Sequence, residues 1–166
     1  MTIDTETRVR AFLDALGVKY EILECDPELA DTAVFCERYG FALDDSANTI
    51  IVGAKTGDKQ RVACVLLATT RLDVNRTVRK RMGVRRLSFA SADETRELTG
   101  MEIGGVTPLA LPHDLPLWVD SRVMKREFVI LGGGSRSCKI EVAPALFERT
   151  ANTTIVEDLA VEVRNE

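Results

Sequence analysis

Residues that commonly bind metals or act as nucleophiles are scarce in this sequence of 166 residues, which has one histidine and four cysteines. The cysteines Cys25, Cys36, Cys64 and Cys138 are widely separated, and no two of them form a CxxC pair. Because zinc is held by closely spaced cysteine and histidine ligands, this pattern argues against a zinc site. We therefore predict that the cysteines are small buried apolar residues and that no metal or cofactor is required.

The single histidine, His113, lies in a segment that is bounded by Pro112 and Pro116. A Ser-His-Asp triad would have to depend on this one residue. Because prolines at such spacing are typical of loops, we predict that His113 is a surface residue rather than a catalytic base.

Long apolar runs are also missing, because no stretch approaches the roughly 20 residues that a membrane span requires. The first residues are polar and acidic, whereas a signal peptide starts with basic residues and continues with an apolar run. We expect a cytoplasmic protein with no membrane partner. With 45% hydrophobic residues, the chain can form one domain over residues 1–166 with a substantial core.

Helical and extended periodicities alternate along the chain. Capping residues and amphipathic spacing predict helices over residues 5–16, 32–39, 73–82, 92–99 and 144–149. In the second of these, Val34, Phe35 and Tyr39 would form the buried stripe. Apolar and β-branched runs predict strands over residues 19–24, 48–54, 61–68, 85–89, 117–120, 127–131 and 138–142.

The order of these elements predicts a mixed α/β fold (α+β mixed). Residues 56–59 carry a turn signal, so residues 48–68 are predicted to form one β-hairpin and residues 127–142 a second. We expect both hairpins in a single mixed β-sheet that closes into a barrel, flanked by helices.

The segment from Thr99 to Leu109 combines three glycines with Pro108. Glycine lets another group approach the backbone closely, and proline stiffens the loop. The amide N–H groups of such a loop can bind a phosphate or a developing oxyanion. A plain connection between two elements is the alternative. For the second glycine-rich segment, from Gly132 to Arg136, the alternative is a hairpin turn.

The segment Gly104-Gly105-Val106-Thr107-Pro108 resembles the GxxxP loop of the YbaK/prolyl-tRNA editing family, whose members are aminoacyl-tRNA deacylases. Residues 72–76 and 82–86 are similar to the family's helix and following strand, and residues 132–142 are similar to its late glycine-rich hairpin. The resemblance is strongest over residues 30–160 and depends on the order and spacing of these motifs.

The resemblance implies a freestanding editing protein that hydrolyses the ester of a mischarged tRNA in a YbaK-like domain. It implies a pocket that positions the reactants without an enzyme nucleophile, with mischarged aminoacyl-tRNA and an aminoacyl-tRNA synthetase as partners. The catalytic positions that it carries over are Asn48, Gly104, Gly105, Thr107 and Pro108. The substrate-binding positions are Val106, Gly132, Gly133, Gly134, Ser135, Arg136 and Lys139.

Asn48 departs from the family pattern, which has a lysine just before the Thr-apolar-apolar strand. An asparagine amide can donate a hydrogen bond, but it carries no charge and reaches less far. Arg136 or Lys139 could restore a positive charge from the other hairpin, and the alternative is that both project into solvent. If no cation is present, Asn48→Lys should raise deacylase activity about tenfold. If Arg136 or Lys139 already supplies one, Asn48→Lys should lower the activity.

Basic residues are concentrated in one short stretch, although the formal net charge of the chain is −4. Such a cluster can neutralise phosphates without reading sequence, so we predict that it binds tRNA. A solvated helix face is the alternative. The stretch contains Arg76, Arg79, Lys80, Arg81, Arg85 and Arg86.

Two further hypotheses stay open. The neutral Asn48 is compatible with a catalytically weak or inactive protein that binds aminoacyl-tRNA or a related small ligand. A hydrolase of another acyl ester is the third hypothesis, and the basic stretch argues against it because such an enzyme would not need to bind phosphates.

Overall fold

The computed structural model describes residues 4–55 and 60–163 as short strands with helices packed against them. The α-helices are α1 (Thr5–Leu16), α2 (Thr32–Tyr39), α3 (Arg79–Met82), α4 (Ala92–Thr99) and α5 (Ser121–Met124). The strands are β1 (Tyr20–Glu24), β2 (Ala47–Ala54), β3 (Arg61–Leu67), β4 (Thr70–Leu72), β5 (Leu87–Phe89), β6 (Leu117–Asp120), β7 (Val129–Gly132), β8 (Cys138–Val142), β9 (Thr153–Val156) and β10 (Ala160–Glu162). Short 3₁₀-helices cover Pro27–Leu29, Leu43–Asp45 and Pro144–Glu148.

The strands form three sheets within the described residues. The largest has the order β5-β2-β3-β6-β9, in which β2 pairs antiparallel with β3 and β5, and β6 pairs parallel with β3 and β9. The second has the antiparallel order β1-β8-β7, and β4 pairs with β10 in the third. The mixture of parallel and antiparallel pairs agrees with the predicted α/β character.

The predicted barrel is wrong, because none of the sheets formed by the described residues closes on itself. A barrel needs a continuous ladder of hydrogen bonds around its axis. The two larger sheets are instead connected by one isolated bridge, between Ser46 and Ile130. In the described part of the chain, the edge strands of the five-stranded sheet, β5 and β9, do not pair with the edge strands of the three-stranded sheet, β1 and β7.

Both predicted hairpins contain the expected antiparallel pairs, but they lie in different sheets. β2 pairs with β3 in the five-stranded sheet, and β7 pairs with β8 in the three-stranded sheet. The expectation of one common sheet is wrong, since the alternation of apolar residues specifies the buried face of a strand and not its partner. The predicted turn over residues 56–59 lies outside the described residues.

The two larger sheets bury a common apolar core. Val65 of β3, Leu131 of β7 and Ile140 of β8 belong to the same buried cluster. Helix α1 packs onto this cluster through Val9 and Leu13, which are one turn apart and fully buried. The predicted helix over residues 5–16 is confirmed, and its N-terminus is capped by an aspartate side chain.

The buried side of α2 differs from the predicted stripe. Phe35 is buried, but Val34 and Tyr39 are 42% and 39% exposed. Cys36 is buried in place of these two, because Phe35 and Cys36 pack together against Ile130 of β7. Contact with one neighbouring strand therefore selects a narrower face of the helix than its amphipathic pattern indicates.

The helix predicted over residues 73–82 is divided into two parts. A π-helical turn covers Val74–Val78, and α3 follows it and ends at Gly83, which has φ +68. Val78 is buried, and Val74 and Met82 pack against the same apolar cluster on the five-stranded sheet. The predicted apolar face is thus confirmed.

Two predictions made from the scarce residues are confirmed, namely that the cysteines are buried and that His113 lies at the surface. All four cysteines are buried and free of disulfide bonds. His113 is exposed. No described helix has the length and apolar character that crossing a membrane would need.

Candidate functional site

We call the segment from Thr99 to Leu109 the glycine loop. A cavity of about 250 Å³ lies between this loop, the start of β2, the first turn of α2 and the β7–β8 hairpin. We call it the glycine-loop cavity. Its apolar walls include Phe35, Ile50, Ile103 and Ile130. Of the site residues predicted from the sequence, those that line it are Asn48, Gly104, Val106, Gly132 and Lys139.

Lys139 brings a buried ammonium group to this cavity. Its neighbour in β8, Ile140, faces the common core, so the alternation of side chains directs Lys139 to the other side of the strand. Nζ donates a hydrogen bond to the carbonyl oxygen of Gly104 at 2.7 Å and lies 5.6 Å from the centre of the Phe35 ring. Lys139 is only 6% exposed, and this burial lowers the pKa of its ammonium group. The alternative in which Lys139 projects into solvent is therefore wrong.

Asn48 and Thr49, at the start of β2, add neutral polar groups to the cavity. The Thr32 hydroxyl donates to Oδ1 of Asn48 at 2.6 Å, which leaves the side-chain amide N–H groups of Asn48 as donors for another partner. The hydroxyl oxygen of Thr49 is buried and has no hydrogen-bond partner among the described residues. Together with Lys139, these side chains give the cavity several hydrogen-bond donors and suit it to a ligand oxygen.

The glycine loop and the segment from Gly132 to Arg136, which we call the two glycine segments, are in direct contact behind this cavity. A Cβ atom at Gly105 would overlap the backbone of Ser135, and one at Gly132 would overlap the carbonyl group of Val106. The amide N–H of Gly134 donates to the carbonyl oxygen of Gly105 at 2.9 Å. Glycine is therefore needed at these positions because two backbones pass in direct contact.

Arg136 forms hydrogen bonds with two segments at the edge of the cavity. Its Nη1 donates to the carbonyl oxygen of Ile103 at 2.6 Å and to the carboxylate of Asp31 at 3.1 Å. Its Nε donates to the carbonyl oxygen of Pro27 at 2.9 Å. The arginine thus connects the glycine loop to the segment before α2, and these bonds engage its side chain outside the cavity lining.

The remaining predicted site residues do not line the glycine-loop cavity. Thr107 is fully buried, and its hydroxyl accepts a hydrogen bond from the Leu109 amide at 3.4 Å. Pro108 lines a second cavity. The roles predicted for these positions and for Gly105, Gly133, Gly134, Ser135 and Arg136 stay predictions.

Several cavity residues are not apparent as site residues from the sequence. Asp31 and Thr32 resemble an ordinary helix start, and Thr49 resembles any β-branched strand residue. Their membership depends on the packing of α2 beside β2, which the local pattern does not specify. An unsatisfied buried hydroxyl such as that of Thr49 becomes visible only in the folded structure.

The six basic residues of the predicted tRNA-binding stretch are all exposed, and we call this region the basic surface. Among the described residues, none of the six pairs with a carboxylate. Arg81 lies over the Trp118 ring, 5.5 Å from its centre. Ile50, which lines the glycine-loop cavity, packs on the same cluster as Val78, so the cavity and the segment that carries the basic surface meet on one sheet.

The structure is a mixed α/β fold whose interlocked glycine segments lie behind a cavity lined with hydrogen-bond donors. The particular family follows from the sequence profile of the aminoacyl-tRNA editing domain, which matches residues 26–150. Because this match covers most of the chain, the protein belongs to the aminoacyl-tRNA editing domain family. The resemblance to the YbaK-like editing proteins is thereby confirmed.

The proteins that are similar in sequence or structure match most of this chain. The uncharacterised protein YwhH of Bacillus subtilis (strain 168) is 27% identical over 136 residues, which are 82% of this chain and 84% of YwhH. The crystal structure of hypothetical protein APE2540 matches with a TM-score of 0.82 and 26% identity, covering 93% of this chain and 99% of that one. A protein proposed to be a trans-editing enzyme for prolyl-tRNA synthetase matches with a TM-score of 0.78 and 20% identity, covering 95% and 98%. The last likeness shows a shared fold.

Proposed function

We propose that this protein hydrolyses the ester that joins an amino acid to the terminal adenosine of a mischarged tRNA. Membership of the editing-domain family supports aminoacyl-tRNA editing in general. The observation that carries the proposal for this chain is the ammonium group of Lys139, which is held beside Gly104 in the wall of the glycine-loop cavity. A buried cation with remaining N–H donors is suited to an oxygen that gains negative charge.

The reaction needs stabilisation of charge more than it needs an enzyme nucleophile. Water, oriented by the substrate's own groups, attacks the carbonyl carbon, and negative charge develops on the carbonyl oxygen. The ester C–O bond to the ribose then breaks, and the proton lost by the water passes to the departing ribose oxygen. We assign the Lys139 ammonium and the Asn48 amide as the donors to the carbonyl oxygen. Hydrogen bonds and charges act more strongly in a cavity that excludes bulk water than in solution.

The glycine segments have a positioning role in this proposal. Gly104 accepts the Lys139 hydrogen bond, and Val106 and Gly132 form the wall against which the aminoacyl group and ribose would lie. Thr107 and Pro108 keep the loop stiff behind that wall. Fixing the ester against these groups would supply part of the rate enhancement by orientation alone.

The basic surface would hold the tRNA. Its side chains are exposed and carry no carboxylate partner among the described residues, so they are available to phosphates. An aminoacyl-tRNA synthetase that produces the mischarged tRNA is the second partner that we propose. Binding of the tRNA backbone there would bring the aminoacyl end towards the sheet that carries both the basic segment and the cavity.

The direct test is to incubate the purified protein with a panel of mischarged tRNAs and to follow release of the amino acid. We expect release from at least one member of the panel, above the rate of spontaneous hydrolysis. The same panel with free aminoacyl esters in place of tRNA separates an editing enzyme from a hydrolase of other acyl esters.

One outcome would overturn the enzymatic proposal. If no amino acid is released from any member of the panel while tRNA still binds, the protein is a binding protein and not a deacylase. Binding is measured on the same preparations, so that inactive or misfolded protein is recognised by the loss of tRNA binding.

A further inference from the structure

A second cavity, of about 460 Å³, lies between α1, the segment after the glycine loop and the turn before β9. We call it the α1 cavity. The two cavities have no lining residue in common. In the glycine loop, for example, Gly104 and Val106 line the glycine-loop cavity, whereas Pro108 lines the α1 cavity. The α1 cavity is therefore a separate site at the end of the same loop.

Arg8 gives the α1 cavity an incompletely satisfied cation. Its Nη2 donates to the carbonyl oxygen of Thr99 at 2.5 Å, but its Nε is buried and has no hydrogen-bond partner among the described residues. No carboxylate within residues 4–55 and 60–163 forms an ion pair with it. Because Nε is buried, a ligand anion would bind to the remaining N–H groups of the guanidinium, of which Nη1 has no hydrogen-bond partner among the described residues. Hydrogen bonds between two charged groups are stronger than those between neutral ones.

The backbone around this cavity is also unusual. Ala110 has φ +60 and Asn152 has φ +58, and both residues line the cavity. The Asn152 side-chain amide donates to the carbonyl oxygen of His113 at 3.2 Å, which joins the two loops that enclose the space. Left-handed backbone is common for asparagine but costly for alanine, so the strain lies at Ala110, and strain of this kind is found at binding sites.

Besides Arg8, the lining includes the polar residues His113, Thr150 and Asn152, and the rest of the wall is apolar. Phe12, Leu111, Leu115 and Leu117 line the space beside Arg8. A cavity of this size, apolar except for a few polar groups, is typical of a small-molecule site. We propose that the α1 cavity binds a small monocarboxylate with an apolar body, whose carboxylate accepts hydrogen bonds from the Arg8 guanidinium.

The experiment uses hexanoate and phenylacetate as probes, with hexanamide and phenylacetamide as neutral controls of the same shape. Binding is followed by the ¹H–¹⁵N signal of the Arg8 Nε–H group and by titration of the whole protein. We expect both carboxylates to shift this signal and to bind about tenfold more tightly than the amides, because a hydrogen bond to a charged group is stronger than one between neutral groups.

Two variants separate the site from general effects. Arg8→Met should weaken carboxylate binding about tenfold or more. Because Arg8 also bonds to Thr99, a second variant, Ala11→Trp, fills the cavity without changing Arg8. Ala15→Trp is the matched control, since Ala15 lies one turn further along the same helix and does not line the cavity.

The proposal is overturned if carboxylates and amides bind equally, if neither binds, or if Ala11→Trp binds the carboxylates as well as Ala15→Trp does. These results are independent of deacylation. Failure of the mischarged-tRNA assay would therefore leave this inference standing, and failure of this inference would leave the proposed function standing.

Discussion

Two strands bring polar side chains to the glycine-loop cavity, and they bring different chemistry. β2 contributes the neutral Asn48 and Thr49, whereas β8 contributes the ammonium group of Lys139. Asn48 and Lys139 each form a hydrogen bond with a neighbour, Asn48 with Thr32 at 2.6 Å and Lys139 with Gly104 at 2.7 Å. The difference supports the proposal that Lys139 of β8 supplies the cation that β2 does not carry.

Removing the ammonium group of Lys139 should have the largest effect on the rate of hydrolysis. Lys139→Met keeps the length of the side chain but removes the ammonium donor. We expect the rate of aminoacyl-ester hydrolysis to fall about a hundredfold to a thousandfold, the usual cost of losing one oxyanion donor. Single-turnover release of the amino acid measures this directly. Lys125→Met, at an exposed lysine, is the matched control and should leave the rate unchanged.

Replacing the neutral Asn48 by a charged residue should have a smaller effect on the rate of hydrolysis. In Asn48→Lys a second ammonium group would enter the cavity that already contains Lys139. Because two like charges close together repel each other, and burial of Lys139 limits screening by water, we expect the hydrolysis rate to fall about tenfold. The same single-turnover assay is used, and Asn48→Gln serves as a control for size. A rate that rises in Asn48→Lys would mean that Lys139 does not supply the cation.

The basic surface should affect binding rather than chemistry. We expect Arg79→Ala, Lys80→Ala and Arg86→Ala together to weaken tRNA binding. The slope of log affinity against log salt should fall by about one unit for each phosphate that the variant no longer neutralises. Filter binding over a salt series gives the slope. A control of equal charge change replaces Arg38, Lys125 and Arg149, which are exposed elsewhere. Equal slopes for the two triple variants would make the basic surface an ordinary solvated face.

The smallest effect concerns stability and pH. In the folded state, burial lowers the pKa of Lys139 below its usual value of 10.5. Between the lowered pKa of the folded state and the pKa of 10.5 in the unfolded state, the unfolded chain therefore binds more protons. The contribution of Lys139 to the free energy of unfolding should therefore become more favourable as the pH rises through this window. Urea unfolding of wild type and Lys139→Met from pH 7 to pH 10.5 should give a difference that shifts in favour of wild type. Parallel pH curves for the two proteins would contradict it.

The local elements of the fold are largely predictable because their signals are local. Helix α1 has an aspartate cap before Thr5 and a glycine after Leu16, and α4 is capped by Ser91, whose hydroxyl accepts a hydrogen bond from the Glu94 amide. Such signals involve residues within one turn of each other. The arrangement of strands into three sheets is not local, and the predicted barrel is wrong for that reason.

The candidate site, too, could be predicted from the sequence only where its signals are local. The alternation in β8 predicts that Lys139 lies on the opposite face from Ile140, but it does not specify what covers that face. In the structure Phe35 of α2 and the carbonyl group of Gly104 cover it, and these are distant in the chain. The sequence therefore leaves two alternatives for Lys139, solvent or cavity, and long-range packing decides between them.

The most direct test of the cation's origin is a double-variant cycle at positions 48 and 139, measured as single-turnover hydrolysis of one mischarged tRNA. The account predicts that the effect of Asn48→Lys changes sign. It lowers the rate when Lys139 is present, and it raises the rate about tenfold in the Lys139→Met background, where it restores a cation from β2. If Asn48→Lys has the same effect in both backgrounds, Lys139 does not supply the charge that the reaction uses.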